Sequence, residues 1–255
     1  MAISFHPFVS GFGALVDGVA LHDELSAAEI AAIHSAIVRY GFLLHRGAVI
    51  SAHDQIRWTQ RLGTPMDDGR EGKLYKIFDE RFKFSYWHCD GTFHAPPAML
   101  SIQHMLVGGA ETQLMNGYEA IARMPRALAR QLEGVAATYN LQYARKVRVP
   151  PTNAPDAGPF PLVSRHPATG RPSLYLNLNY AKLVGMSADA SERLLGDLEY
   201  YLHTLVGVDG VYQFVPSVAG NTLVIDNRSV LHCGPIDPAS FPADRRIQWT
   251  GTLAA

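Results

Sequence analysis

Trp87-His88-Cys89-Asp90-Gly91-Thr92-Phe93 sets an imidazole and a carboxylate one residue apart. On an extended strand side chains alternate between faces, so His88 and Asp90 share one side and Cys89 takes the other. That pair is two-thirds of a 2-His-1-carboxylate metal site. Taken alone, an H-x-D triplet is far more often a surface loop or a satisfied polar group. Its meaning depends on whether a third ligand arrives from elsewhere in the chain.

The chain has 255 residues, with 47% hydrophobic and 18% charged. That is ordinary globular composition, with enough length to bury a core without disulfides or a structural metal. A metal site in such a chain is functional rather than a folding staple. The formal net charge is -1, and no basic block or stripe appears, which argues against a nucleic-acid partner. Two cysteines, Cys89 and Cys233, are too few for a disulfide framework. The start lacks the basic region of a signal peptide, and no apolar run is long enough to span a bilayer. The expectation is a cytoplasmic protein that acts on a small molecule, with no nucleic-acid or membrane partner. A homo-oligomer is left open.

Working outward from the triplet, the first 21 residues alternate short apolar runs with glycines and read as strands and turns. Ser26-Ala27-Ala28-Glu29 is a capping box, and Ile30, Ile33 and Ile37 follow at helical spacing to about Arg39. Gly41 ends that helix, and Phe42-Leu43-Leu44 reads as a buried strand. Ser51 and Asp54 open a second helix, closed by Gly63 and Pro65. Residues 66–83 read as a charged loop that could belong to a lid. Strands are expected at 99–107 and 112–115, with a helical patch near Tyr118. The proline-rich stretch 150–161 reads as a long surface loop rather than a domain boundary, because candidate site residues lie on both sides of it. A strand is expected at 174–178. Leu194, Leu195, Leu198, Leu202 and Leu205 mark a helix over 187–206, and strands close the chain at 211–214, 222–225, 230–231 and 247–253. Strands from both halves with helices between them fit one domain, 1–255. The fold class is mainly β with flanking helices, an antiparallel double sheet rather than a βαβ alternation.

The candidate third ligand is His232, in Asp226-Asn227-Arg228-Ser229-Val230-Leu231-His232-Cys233-Gly234, at the end of an apolar strand. Further on, Arg246, Gln248 and Thr250 share one face of a strand and Ile247 and Trp249 the other. A guanidinium behind a metal can pin the far carboxylate of a dicarboxylate co-substrate by a bidentate contact.

With these residues in place the sequence resembles the taurine/2,4-dichlorophenoxyacetate dioxygenase (TauD/TfdA) family of Fe(II)- and 2-oxoglutarate-dependent oxygenases. The similarity runs over nearly the whole chain. It includes Phe42 to Gly47, Arg61-Leu62-Gly63, Trp87 to Asp90, Gly108 to Thr112, His166-Pro167, Asp226-Asn227-Arg228, His232 and Arg245-Arg246-Ile247. The resemblance implies a double-stranded β-helix (jelly roll, cupin-like). It implies iron held by His88, Asp90 and His232, with 2-oxoglutarate and O2 as co-substrates. Thr112 and Arg246 are implied to hold the 5-carboxylate of 2-oxoglutarate, Arg246 being preferred to Arg245 as the residue directly before the apolar Ile247. The implied reaction couples oxidative decarboxylation of 2-oxoglutarate to hydroxylation, desaturation or cyclisation of a small organic substrate, such as an amino acid or natural-product intermediate.

One position departs from the family pattern. Where taurine dioxygenase has a further arginine for the substrate sulfonate, this chain has Thr250, which puts an anion held in that way in doubt. Phe84 and Tyr175 match the family's substrate wall, with Tyr86 beside them. Cys89 and Cys233 are expected to face away from the metal. Two other readings use the same residues. A His/Asp/His shell can carry zinc in a hydrolase, and a jelly roll can be a binding module without catalysis. In the hydrolase, Thr112 and Arg246 have no evident task, and succinate production would exclude the binding module.

Overall fold

The computed structural model of the chain describes residues 2–21, 24–66, 75–77 (backbone only), 85–146, 154–235 and 246–253. In chain order the elements are β1 (Ser4–Pro7), β2 (Ala14–Asp17), α1 (Ala27–Tyr40), β3 (Phe42–His45), α2 (Ala52–Leu62), β4 (Tyr75–Ile77), β5 (Ala98–Val107) and β6 (Glu111–Asn116). They continue with α3 (Gly117–Ala122), α4 (Arg126–Leu132), β7 (Ala136–Tyr139), β8 (Ala157–Pro161), β9 (Val163–Arg165), β10 (Pro172–Leu174) and β11 (Ala181–Leu183). The last are α5 (Ala188–Thr204), β12 (Tyr212–Pro216), β13 (Thr222–Asp226), β14 (Val230–Cys233) and β15 (Arg246–Leu253).

Seven strands form the larger sheet, in the order β1-β2-β3-β13-β5-β15-β4. A smaller sheet runs β12-β6-β14 and is extended sideways by bridges from His232 to His88 and from His88 to Asn177. Among the described residues, all strand pairings are antiparallel apart from β2 with β3. The expected double sheet is therefore present.

The alternation along β13 shows how the layers are made. Leu223 and Ile225 pack with Leu114, Val215 and Val230 of the smaller sheet, while Val224 packs with Ile33, Ile37, Trp58 and Leu62 of α1 and α2. A period of two thus serves two cores at once. Fully burying an isoleucine such as Ile33 or Ile37 contributes about 1.5–3 kcal/mol. Ser26 and Glu29 close a reciprocal capping box on α1, and Ser51 caps α2. Behind the smaller sheet, Leu194, Leu198 and Leu202 of α5 pack on Trp87, Cys89, Leu176 and Leu231.

Two expectations about loops need correcting. Ala157–Pro161 is a strand paired with β7 rather than part of a long loop, and Tyr75–Ile77 is an edge strand on β15. The rest of the charged stretch expected as a lid, and Phe84 with it, lies outside the described residues. So do residues 150–153 of the proline-rich run.

Candidate metal centre

β14 and the segment at His88 are held as directly opposed antiparallel residues. The His88 amide donates to the His232 carbonyl at 3.0 Å, and the His232 amide donates back to the His88 carbonyl at 2.9 Å. Opposed residues send their side chains to the same face, and the two imidazole centroids lie 4.3 Å apart. Local sequence decides which face. Leu231, Cys233, Trp87 and Cys89 are apolar and pack toward α5, so His88, His232 and Val230 turn to the space between the sheets.

Asp90 follows where the strand gives way to a turn, and its backbone loses its ladder partners there. Asn227 replaces them. Its Oδ1 accepts from the Asp90 amide at 2.7 Å, and its Nδ2 donates to the Asp90 carbonyl at 2.7 Å. Gly91 takes φ +64° in this turn, and a Cβ there would meet Ala98 at 2.8 Å and Met66 at 2.9 Å, so only glycine fits.

The result is one cluster in which a ligand atom from each of His88, Asp90 and His232 lies within 4.8 Å of the others. Nε2 of His232 is 3.1 Å from Asp90 Oδ2, and Nε2 of His88 is 3.5 Å from Oδ1. Nδ1 of His88 lies 2.9 Å from the Tyr86 carbonyl, which fixes the ring with Nε2 turned to the carboxylate. The Asp90 side chain keeps 19% exposure, so the cluster stays open on one side. Burial alone would raise the Asp90 pKa, but the charges and hydrogen bonds of His232 and His88 hold it well below the usual carboxylate range. Two imidazole nitrogens, one carboxylate and an open side make the donor set of a facial Fe(II) site, and the residues fit that ion.

Residues 4–248 match the family described as "Taurine catabolism dioxygenase TauD, TfdA family". The chain belongs to the TauD/TfdA dioxygenase family. It is 24% identical over 280 residues to the alpha-ketoglutarate-dependent 2,4-dichlorophenoxyacetate dioxygenase of Cupriavidus pinatubonensis, covering 92% of each chain. It is 28% identical to the (S)-phenoxypropionate/alpha-ketoglutarate-dioxygenase of Delftia acidovorans, over 97% of this chain and 94% of that one. It is 24% identical to the alpha-ketoglutarate-dependent sulfate ester dioxygenase of Pseudomonas putida, over 99% and 91%. Among solved structures, AAD-2 in complex with Mn(II) and N-oxalylglycine shares the fold at a TM-score of 0.81 and 20% identity, over 100% of this chain and 98% of that one. A taurine dioxygenase from Burkholderia xenovorans does so at 0.76 and 24%, over 99% and 91%. As a TauD/TfdA dioxygenase the protein is an enzyme that uses Fe(II), 2-oxoglutarate and O2. The zinc hydrolase and the non-catalytic module are thereby set aside.

The remaining candidates of this dioxygenase fall on different faces. Thr112 is buried and in step with Leu114, which faces the space between the sheets on the strand beside β14. Tyr86 is buried beside His88, with ring centroids 5.3 Å apart. Tyr175 is buried too, but packs edge-on to Phe160 in the cluster behind the smaller sheet, with Cys89 and Leu176. Cys89 and Cys233 are buried in that same cluster and form no disulfide, turned from the metal ligands as expected, and burial pushes the Cys89 thiol up to about 12.

Thr250 is not brought to the site. Its Oγ1 lies 2.8 Å from Thr59 Oγ1 and accepts from Gln55 Nε2 at 3.2 Å, both on α2. Gln248 is on that side as well, donating to the Ile50 carbonyl at 3.4 Å. Arg246 is in step with them and exposed at the start of β15. The residues of β15 that turn inward are Ile247, in the core between the sheets, and Trp249, whose Nε1 donates to Asp90 Oδ2 at 2.8 Å. Sequence reasoning missed Trp249, Ser101 and Asn227 as neighbours of the carboxylate. The same alternation that grouped Thr250 with Arg246 had separated Trp249 from both, and only the choice of face was wanting.

Proposed function

We propose that this enzyme couples oxidative decarboxylation of 2-oxoglutarate to hydroxylation of a small organic substrate with an aromatic or apolar body. The observation that carries the substrate class is a wall of rings beside His88. Tyr86 stands edge-on to Tyr180 at 6.1 Å, and Phe93 edge-on to Tyr180 at 5.1 Å. Phe93 keeps partial exposure there, with Tyr86 and Tyr180 buried behind it, and such an apolar wall excludes water from the reacting carbon. Relatives named for aryloxy acids support this reading, whereas no relative cited above is named for an amino acid or natural-product intermediate.

In this reading His88, Asp90 and His232 hold Fe(II), which when bound supplies the O2-dependent decarboxylation and the oxidation of a substrate C–H bond. Thr112 receives the 5-carboxylate of 2-oxoglutarate with a guanidinium of the Arg245-Arg246 pair. Arg246 is exposed at the start of β15, which makes it the less suited of the two, and Arg245 lies outside the described residues. The tyrosine and phenylalanine rings orient the substrate. Residues 1–255 form one catalytic domain, since the ligands come from both halves of the chain. No described helix is long and apolar enough to cross a membrane. Two buried cysteines that form no disulfide fit a reducing cytoplasm.

The test is succinate release from 2-oxoglutarate under air with a panel of aryloxyalkanoic acids, alkyl sulfate esters and amino acids. The reading expects the aryl compounds to accelerate release. Acceleration by amino acids alone would overturn the substrate class, and no substrate-driven or uncoupled succinate with any metal-loaded sample would overturn the reaction.

A further inference from the structure

The two oxygens of the Asp90 carboxylate have different surroundings. Oδ2 accepts from Ser101 Oγ at 2.5 Å and from Trp249 Nε1 at 2.8 Å, with Gln103 Nε2 at 3.5 Å. The indole N–H also reaches Ser101 Oγ at 2.9 Å, so Trp249, Ser101 and Oδ2 form a closed triangle. Oδ2 also lies 3.1 Å from His232 Nε2, as Oδ1 lies 3.5 Å from His88 Nε2, so each oxygen faces one of the imidazoles. The hydrogen bonds from the larger sheet all go to Oδ2.

The triangle rests on firm elements. Ser101 and Gln103 are neighbours on one face of β5, paired with Gly251 and Trp249 of β15, and all four are in the larger sheet. Asp90, by contrast, stands in a turn on the opposite sheet, its backbone held by Asn227. Without the contacts from β5 and β15 its side chain could rotate about two bonds. With them, the larger sheet fixes the rotamer of a ligand borne by the smaller one.

We propose that Trp249, with Ser101, is a positioning residue that grips Oδ2 of Asp90 from the larger sheet and so holds the carboxylate where it can share one metal ion with both imidazoles. The proposal rests on the reading of His88, Asp90 and His232 as the metal ligands. It gives an indole a task at a place in β15 where it turns toward Asp90.

The experiment measures Mn(II) binding by calorimetry in the absence of substrate, on wild type, Trp249→Phe, Ser101→Ala and His232→Ala, each checked for native circular dichroism. Phenylalanine keeps the ring and removes the N–H. Partners beyond the ligands typically govern metal affinity by about 10–100-fold. Trp249→Phe is expected to weaken Mn(II) by that factor, and Ser101→Ala to do so in the same direction should the phenylalanine variant fail to fold. With Fe(II) and 2-oxoglutarate under nitrogen, the visible absorption band is expected to shift in the variants. Wild-type affinity and an unmoved band in the folded variants, with binding lost in His232→Ala, would overturn the proposal and leave the ligand reading intact. Absence of Mn(II) binding in wild type would overturn both.

Discussion

Replacing Thr250 with valine separates two roles for that residue. Valine keeps the shape and removes the hydroxyl, which bridges Thr59 and Gln55 on the buried face between β15 and α2. Thr59 Oγ1 keeps its bond to the Gln55 carbonyl at 2.8 Å, and Gln55 Nε2 keeps the Gln248 and Ile102 carbonyls at 3.1 and 3.3 Å. The loss is therefore two buried hydrogen bonds whose partners are not stranded, about 1–2 kcal/mol in all. For a chain of this size that lowers Tm by roughly 2–8 °C. Urea denaturation should show the same loss through the midpoint, with the slope unchanged. Substrate KM and kcat at a temperature well below the transition should stay at wild-type values, because the side chain is turned from the metal. An unchanged Tm together with a raised substrate KM would refute the reasoning and return Thr250 to the pocket.

Other consequences follow from the same geometry. Arg245→Ala should raise the 2-oxoglutarate requirement by about 2–4 kcal/mol, as for truncating one partner of a buried charge pair, while Arg246→Ala should change it little; titrating 2-oxoglutarate in each variant checks this, and the reverse result would make Arg246 the anchor. His104 accepts from the Ile50 amide at Nε2 (3.1 Å) and lies 2.8 Å from Thr222 Oγ1 at Nδ1, so the fold holds it neutral. Burial, then the neighbouring His45, lowers its pKa to about 4. The unfolded chain takes up that proton near the ordinary value of about 6.5, so this group's contribution to stability is full above about 6.5 and declines as pH falls from there toward 4. Urea midpoints at pH 7 and pH 5 should differ in wild type, and the difference should shrink in His104→Gln.

Much of this arrangement is legible in the sequence because its signals are local. Ser26 with Glu29, Ser51 with Asp54, and the leucines of α5 fix three helices by caps and periodicity alone. The phase of Trp87-His88-Cys89-Asp90 is equally local, and the opposite phase of Leu231 and Cys233 shows that His232 shares a face with His88. The short strands β8, β9 and β11 leave no such trace. Each has three to five residues, and β8 carries two prolines and a glycine. Their pairing is supplied by neighbours distant in the chain. β15 shows the sharper limit. Alternation divides Ile247 and Trp249 from Arg246, Gln248 and Thr250, but which set turns inward depends on partners outside the strand, α2 on one side and Asp90 on the other. The bonds from Asn227 to the Asp90 backbone span 137 positions of sequence, a separation no local pattern reports.

The central claim is that His88, Asp90 and His232 converge on one ferrous ion that also chelates 2-oxoglutarate. Adding 2-oxoglutarate to the Fe(II)-loaded protein under nitrogen tests it most directly. A weak visible charge-transfer band in wild type that is absent from His232→Ala is the expected result. No band in wild type, or an unchanged band in His232→Ala, would contradict the account.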